Sequence, residues 1–218
     1  MNLAVVYVIL FSRGEMKLAT KDAMTKSYMQ DNNSFADAFN FYLYGGEEVI
    51  KPEKLRPLDT SKIVLPFADD NKPKPIQRYR DVMKLLVAME DDNAAYVLLG
   101  IENQSDIHYA MPVRNMLYDA IEYSNQVEMI AKAHRKVNTT AEFLSGIHKD
   151  EKLLPVITLT ILWNPGEWDG ARTLHDMLTV SDEKLLRFIP DYRLNLIAPK
   201  DIQNNDFDKF KTELGAAL

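Results

Sequence analysis

Glu102 and Gln104 stand two residues apart at the end of A-A-Y-V-L-L-G-I-E-N-Q (94–104), and Asp81 directly precedes the apolar run V-M-K-L-L-V-A (82–88). Successive side chains of a strand leave opposite faces, so a strand through 94–104 puts Gly100, Glu102 and Gln104 on one face. A neighbouring strand across a short turn brings Asp81 opposite them. Two convergent carboxylates at the end of a mostly apolar sheet suit a hard divalent cation: Mg²⁺ takes oxygen ligands, keeps several waters and leaves positions open for a phosphate. Such an ion lowers the pKa of an attacking water and stabilises charge growing on phosphorus. Gly100, without a side chain, leaves room for a close-approaching backbone, which is compatible with a substrate groove. A plainer reading stays open beside this one. Asp81 and Glu102 are equally compatible with solvated strand-end acids or with ion-pair partners of Arg78 and Arg80.

The elements that must position these residues follow from periodicity. Asp31, Asn32, Asn33 and Ser34 offer helix N-caps before F-A-D-A-F-N-F-Y-L-Y (35–44), where Phe35, Ala38, Phe39, Tyr42 and Leu43 recur at helical spacing until Gly45-Gly46 ends the run. After a Pro-containing stretch at 51–57, Lys62 to Phe67 is β-rich, and a polar turn leads to a long strand candidate from Ile76 to Ala88, so the pair reads as a hairpin. Met89 to Asn93 is a second polar turn, and Ala94 to Gln104 is a continuous apolar run that reads as a buried third strand. Beyond Ser105 and Asp106, the residues Val113, Met116, Leu117, Ala120, Ile121 and Ser124 trace a long amphipathic helix to about Arg135, with Pro112 tolerated in its first turn. A polar excursion with a short helical piece fills 137–152. Pro155 to Trp163 is a β-branched strand, Leu174 to Leu178 and Ser181 to Phe188 are short helices, and Tyr192 to Ile197 is a final strand.

Composition narrows the classes. With 218 residues, 46% of them hydrophobic, the chain can bury one full core. It has no cysteine, which excludes a disulfide framework, a thiolate zinc site and a cysteine nucleophile; nothing argues for secretion, and a cytoplasmic protein is expected. His108, His134, His148 and His175 are scattered without metal-ligand spacing. A net charge of −6 argues against a protein that coats polyanions, so any contact with nucleic acid must be local. Lys72, Lys74, Arg78, Arg80 and Lys84 form one such basic stretch, whose only acid is Asp81; a solvated strand edge is the alternative. The apolar opening M-N-L-A-V-V-Y-V-I-L-F is too short for a bilayer, which needs about 20 apolar residues, and lacks the charged start and cleavage site of a signal peptide. The expectation is an extension at 1–26 that is not part of the core, followed by one domain at 27–218.

The blocks F-A-D-A-F-N (35–40), G-G-E-E-V-I-K-P (45–52), Q-R-Y-R-D (77–81), G-I-E-N-Q-S-D-I-H-Y-A-M-P-V-R-N-M-L-Y-D-A (100–120), E-F-L-S-G (142–146) and W-D-G-A-R-T-L-H-D-M-L (168–178) resemble the recombination-promoting nuclease, or transposase-like, family of bacteria. The central E-N-Q-S block with its following helix is the specific part, and the resemblance covers nearly everything from Ser27 onward. The family is regarded as belonging to the PD-(D/E)XK nucleases, with E-x-Q standing where (D/E)-x-K is usual. The resemblance therefore implies a restriction-endonuclease-like α/β core, a mixed sheet flanked by helices, and DNA cleavage dependent on Mg²⁺ or Mn²⁺. It makes Asp81 the first acid, Glu102 the second and Gln104 the occupant of the lysine position, with the carbonyl of Asn103 as a further metal ligand. Asp37, on the first expected helix, is the candidate for an additional acid. Arg78, Arg80 and Lys84 become candidate DNA contacts, as does Arg114, which could meet a phosphate or pair with Asp119 or Asp106. Trp163, Trp168, Tyr118 and Tyr123 are expected as packing aromatics. Family members often extend further at the C-terminus, so a truncation is expected there. The oligomeric state, a homodimer included, stays open, as does a degenerate nuclease fold that binds DNA or protein without cutting.

Overall fold

A computed structural model describes residues 18–58, 81–88, 95–133 and 139–218 of the protein. Strand β3 (Ala95–Gln104) lies in the middle of a five-stranded mixed sheet ordered β1-β2-β3-β4-β5. A near-continuous apolar run is what a strand covered on both faces requires. Antiparallel to it runs β2 (Val82–Ala88), from Val82 opposite Ile101 to Ala88 opposite Ala95; β1 (Leu55–Pro57) pairs antiparallel with β2 at the edge. On the other side, β4 (Val156–Leu162) runs parallel to β3, with Gln104 opposite Leu162, and β5 (Asn195–Ile197) runs parallel to β4. Parallel strands cannot be joined by a tight turn, and helix α3 (Met111–Ala133) occupies the connection from β3 to β4.

One face of the sheet is apolar. Leu99 and Ile101 of β3, Val82 and Leu86 of β2, and Leu159 and Ile161 of β4 form a single buried cluster with Phe35, Phe39 and Met29. The aromatic pair comes from α2 (Asn32–Tyr44), which Asp31 caps by accepting from the backbone N–H groups of Asn33 and Ser34, both at 2.9 Å. Gly45, at φ 62°, ends α2 in the left-handed conformation that a side chain resists. Met29 belongs to α1 (Leu18–Gln30), which begins ahead of residue 27, where the domain was expected to start.

The opposite face is polar where α3 covers it. Strand alternation turns Thr158 and Thr160 away from the apolar cluster and towards α3. Asn115 Nδ2 donates to Thr160 Oγ1 at 2.9 Å, Thr158 Oγ1 donates to Asp119 at 2.5 Å, and Tyr192 Oη donates to the same carboxylate at 2.6 Å. A small apolar group of Met111, Leu162, Trp168, Leu194 and Ala198 closes one end of this layer.

Several expectations shift. The Pro-containing stretch at 51–57 holds β1, possible because Pro57 ends an edge strand where its missing N–H does no harm. The proposed partner strand Lys62–Phe67, the first residues of the strand expected from Ile76, the turn Met89–Asn93 and the apolar opening all lie outside the described residues. The expected helices at 174–178 and 181–188 shrink to a 3₁₀ turn at His175–Met177 and α5 (Glu183–Leu186), while the excursion at 137–152 carries α4 (Thr140–Ser145) under a Thr139/Glu142 capping box. Trp168 and Tyr118 are buried, as packing aromatics should be. Among the described residues no helix is long and apolar enough to cross a membrane.

Asp37 is the main correction to the expected site. It is 4% exposed, on the side of α2 away from Phe35 and Phe39, and its contacts are with the C-terminal segment. Its carboxylate accepts from the backbone of Lys211 at 2.9 and 3.0 Å, the backbone of Thr212 at 2.8 Å and the Thr212 hydroxyl at 2.6 Å. Phe41 stacks on Phe210 at 4.0 Å beside this clamp, and α6 (Leu214–Ala217) follows it. Asp37 is thus a tie between α2 and the chain's last turn rather than a member of the Asp81–Glu102 group. Asp37→Ala should lower the unfolding free energy by about 3 kcal/mol, because it strands buried donors that bonded to a charged acceptor. Urea denaturation checks this, and faster proteolysis within 205–218 should accompany it.

Candidate functional site

The β2–β3 register decides where the chemistry gathers. Val82 faces Ile101, so Asp81, one residue ahead of β2, lies beside Glu102, and Asp81 Oδ2 accepts from the backbone N–H of Asn103 at 2.8 Å. Asn103 itself points to the other face, where its Oδ1 accepts from Trp163 Nε1 at 2.8 Å. Trp163 is in turn held edge-on by Tyr28 of α1, with ring centroids 6.0 Å apart. Gln104 is buried on the Glu102 side at the end of the strand.

Glu102 is fully buried, and a charged carboxylate in that position requires a cationic partner. Arg114, in the first turn of α3, brings Nη2 to 3.3 Å from Glu102 Oε2 and donates from Nε to the Tyr118 hydroxyl at 3.0 Å. Burial works against the guanidinium, but Glu102, Tyr118 and Asp81 outweigh it and hold Arg114 firmly cationic. Of the two alternatives for Arg114, a phosphate contact or a pairing with Asp106 or Asp119, the second takes another form: its acid is Glu102, while Asp119 bonds to Thr158 and Tyr192. Burial raises the pKa of Asp81, and nearby Asp22 adds to this; the Asn103 N–H, Lys26 and Arg114 pull it back.

Helix α1 completes the edge. Asp22 accepts a hydrogen bond from the hydroxyl of Ser105, the residue after Gln104, and Lys21 Nζ donates to the carbonyl of Trp163 at 2.8 Å. Asp22 and Lys26 are neighbours at i, i+4 on this helix. Neither stood out in the sequence, since α1 has no apolar stripe and lies mostly in the segment read as an extension; their i, i+4 spacing was the available signal.

Lys84, expected as a DNA contact, is a second correction. Alternation along β2 turns it inward with Val82 and Leu86, and it is 2% exposed. Its ammonium donates to the carbonyl of Gln30 at 2.7 Å, at the negative end of α1, and to Asn32 Oδ1 at 2.6 Å, above the ring of Phe35. It joins the two helices to the sheet. Arg78 and Arg80, like Lys72 and Lys74, lie outside the described residues.

Asp81, Glu102 and the main-chain oxygen of Asn103 are hard donors of the kind that a divalent cation takes. Among the described residues no three His, Cys, Asp or Glu side chains converge, so the donor set at this edge rests on two carboxylates and the backbone. The feature that opposes a cation is Arg114, which holds an oxygen of Glu102. With 27% of its side chain exposed, it can turn outward. Compared with family models, with curated proteins and with solved structures, the chain matches none.

Arg114→Met should destabilise the fold by about 3 kcal/mol, because it removes a cation paired with a buried carboxylate. Adding Glu102→Gln should recover part of that loss, giving a coupling energy of about 1–3 kcal/mol in a double-mutant cycle. For Lys84, burial lowers the pKa from 10.5 to about 8 although Asp31 opposes it. Between those two values the unfolded chain holds a proton that the native chain has released, so native stability rises with pH. Relative to Lys84→Met, the wild type should gain up to about 3 kcal/mol across that window, measured by chemical denaturation at each pH.

Proposed function

We propose that the protein is a metal-dependent DNA endonuclease of the PD-(D/E)XK type, related to the recombination-promoting nucleases that its sequence resembles. One observation carries this reading: the strand register sets Asp81 beside Glu102 at the end of a mixed sheet, with the Asn103 backbone between them. The order of elements supports it too, since an antiparallel trio leads through a long helix to a parallel strand. Asp81, Glu102 and the Asn103 carbonyl would hold Mg²⁺ or Mn²⁺, which when bound supplies an activated water and neutralises charge on the phosphate.

The remaining chemistry belongs to side chains of the chain itself. Gln104 leaves β3 on the face of Glu102, and its amide can accept a hydrogen bond from water while donating one to a phosphate oxygen, which orients the nucleophile without adding charge. Arg114, once turned from Glu102, offers a planar fork that fits a phosphate through two parallel hydrogen bonds. An acidic chain of net charge −6 makes such local contacts necessary, because it has no general attraction for DNA.

A second reading rests on the Arg114–Glu102 ion pair. If that pair is permanent, the acid is already neutralised and the fold serves as a binding module without cleavage. Titration with Mn²⁺ separates the two, since a permanent pair leaves no site to titrate.

Asp81→Ala and Glu102→Ala should each abolish cleavage of supercoiled plasmid in Mg²⁺, as chelation should in the wild type, and combining them should cost little more. Gln104→Ala should slow cleavage by roughly 10- to 1000-fold with metal affinity nearly unchanged, and Gln104→Lys should retain activity. Single-acid variants that cleave at the wild-type rate would overturn the assignment.

A further inference from the structure

Strand β3 carries no cationic side chain of its own, which leaves a gap in charge beside Asp81 and Glu102. Gln104 cannot supply a cation, Lys84 is buried against Phe35 on the other face of the sheet, and Arg114, once turned from Glu102, would meet a phosphate from the rim on the α3 side. Helix α1 fills the gap. Asp22, Lys26 and Met29 share one face of this helix, at i, i+4 and i+7. Both ends of that stripe are anchored: Asp22 by the hydroxyl of Ser105, just past Gln104, and Met29 by full burial in the core with Leu99 and Ile101. Lys26, between these anchors, is therefore held alongside the end of β3. It is half-buried and close enough to Asp81 for its charge to act on that carboxylate.

We propose that Lys26, carried on α1 instead of β3, supplies the positive charge that meets the scissile phosphate beside Asp81 and Gln104. The inference rests on the nuclease reading and deepens it. A lysine four-carbon stem reaches a phosphate as a point charge from a helix as readily as from a strand, and the Asp22–Ser105 contact fixes the helix from which it reaches. Lys26 and Gln104 then divide what one strand lysine would do: Gln104 orients the water, and Lys26 offsets charge on the phosphate.

The test uses the full chain with Lys26→Met, Lys26→Arg, and Lys26→Met combined with Gln104→Lys. Lys26→Met should cut single-turnover cleavage by roughly 10- to 1000-fold, the scale for losing one electrostatic contact in the transition state. It should also weaken binding of a short DNA duplex in Ca²⁺, while Mn²⁺ affinity without DNA, measured calorimetrically, is unchanged or higher because a like charge has left. Lys26→Arg should keep most of the activity. Gln104→Lys in the Lys26→Met background should restore cleavage, which it would not do for a merely structural lysine. Wild-type cleavage by Lys26→Met overturns the proposal, as does its loss of activity without rescue by Gln104→Lys. A wild-type protein that neither binds Mn²⁺ nor cleaves overturns the nuclease reading, and this inference with it.

Discussion

The arrangement at the strand end depends on the antiparallel register between β2 and β3, from Val82 opposite Ile101 to Ala88 opposite Ala95. Because side chains alternate with a period of two, slipping this pairing by one residue would turn every side chain of β2 over. Val82 and Leu86 would leave the core, Lys84 would lose the Gln30 carbonyl, and Asp81 would no longer stand beside Glu102. The hydrophobic demand of the core and the position of the candidate site are thus one constraint. The clamp of Lys84 on α1 and α2 adds a polar lock to it, since a buried ammonium with two oxygen acceptors is costly to displace.

The two faces of the sheet divide the labour. Phe35, Phe39, Leu99, Ile101, Leu159 and Ile161 give the first face close-packed burial with few directional demands. On the second, Asn115, Thr158, Thr160 and Asp119 bond across the α3 interface, which fixes the rotation of α3 about its axis and with it the direction of Arg114. A purely apolar interface would tolerate small rotations of α3. Directional hydrogen bonds do not, so the guanidinium is aimed at Glu102 by contacts made by the next residue, Asn115, and by Asp119, a little over one helical turn further along.

Much of the architecture is legible in the sequence because local signals and burial agree. Asp31 before an amphipathic run and Gly45 after it bound α2, and the apolar stretch ending in Glu102 and Gln104 becomes the central strand. The misreadings have one physical source: a polar side chain does not announce its direction. Asp37 sits at helical spacing with nothing to say that the chain's last turn folds back on it, because that contact joins residues 174 positions apart. Lys84 reads as a surface cation until alternation is counted from Val82 and Leu86. Helix α1, with little apolar periodicity, is held by tertiary contacts such as Met29 and Asp22, which propensity cannot anticipate.

The pairing of Glu102 with Arg114 bears on how a site of this kind could work in an acidic protein. A fully buried carboxylate needs a cation at all times, or its burial would push it to the neutral form. Arg114 meets that need while 27% of its side chain stays in contact with solvent, so it can leave without crossing the core. On the nuclease reading, a divalent ion held by Asp81 and Glu102 would take over as the positive partner of Glu102, with Arg114 turning outward in exchange. The guanidinium would then lie at the rim, where its fork could meet a phosphate on that reading. Glu102 would keep a positive partner before and after the exchange, and a chain of net charge −6 would gain a local cation at the point of contact with DNA.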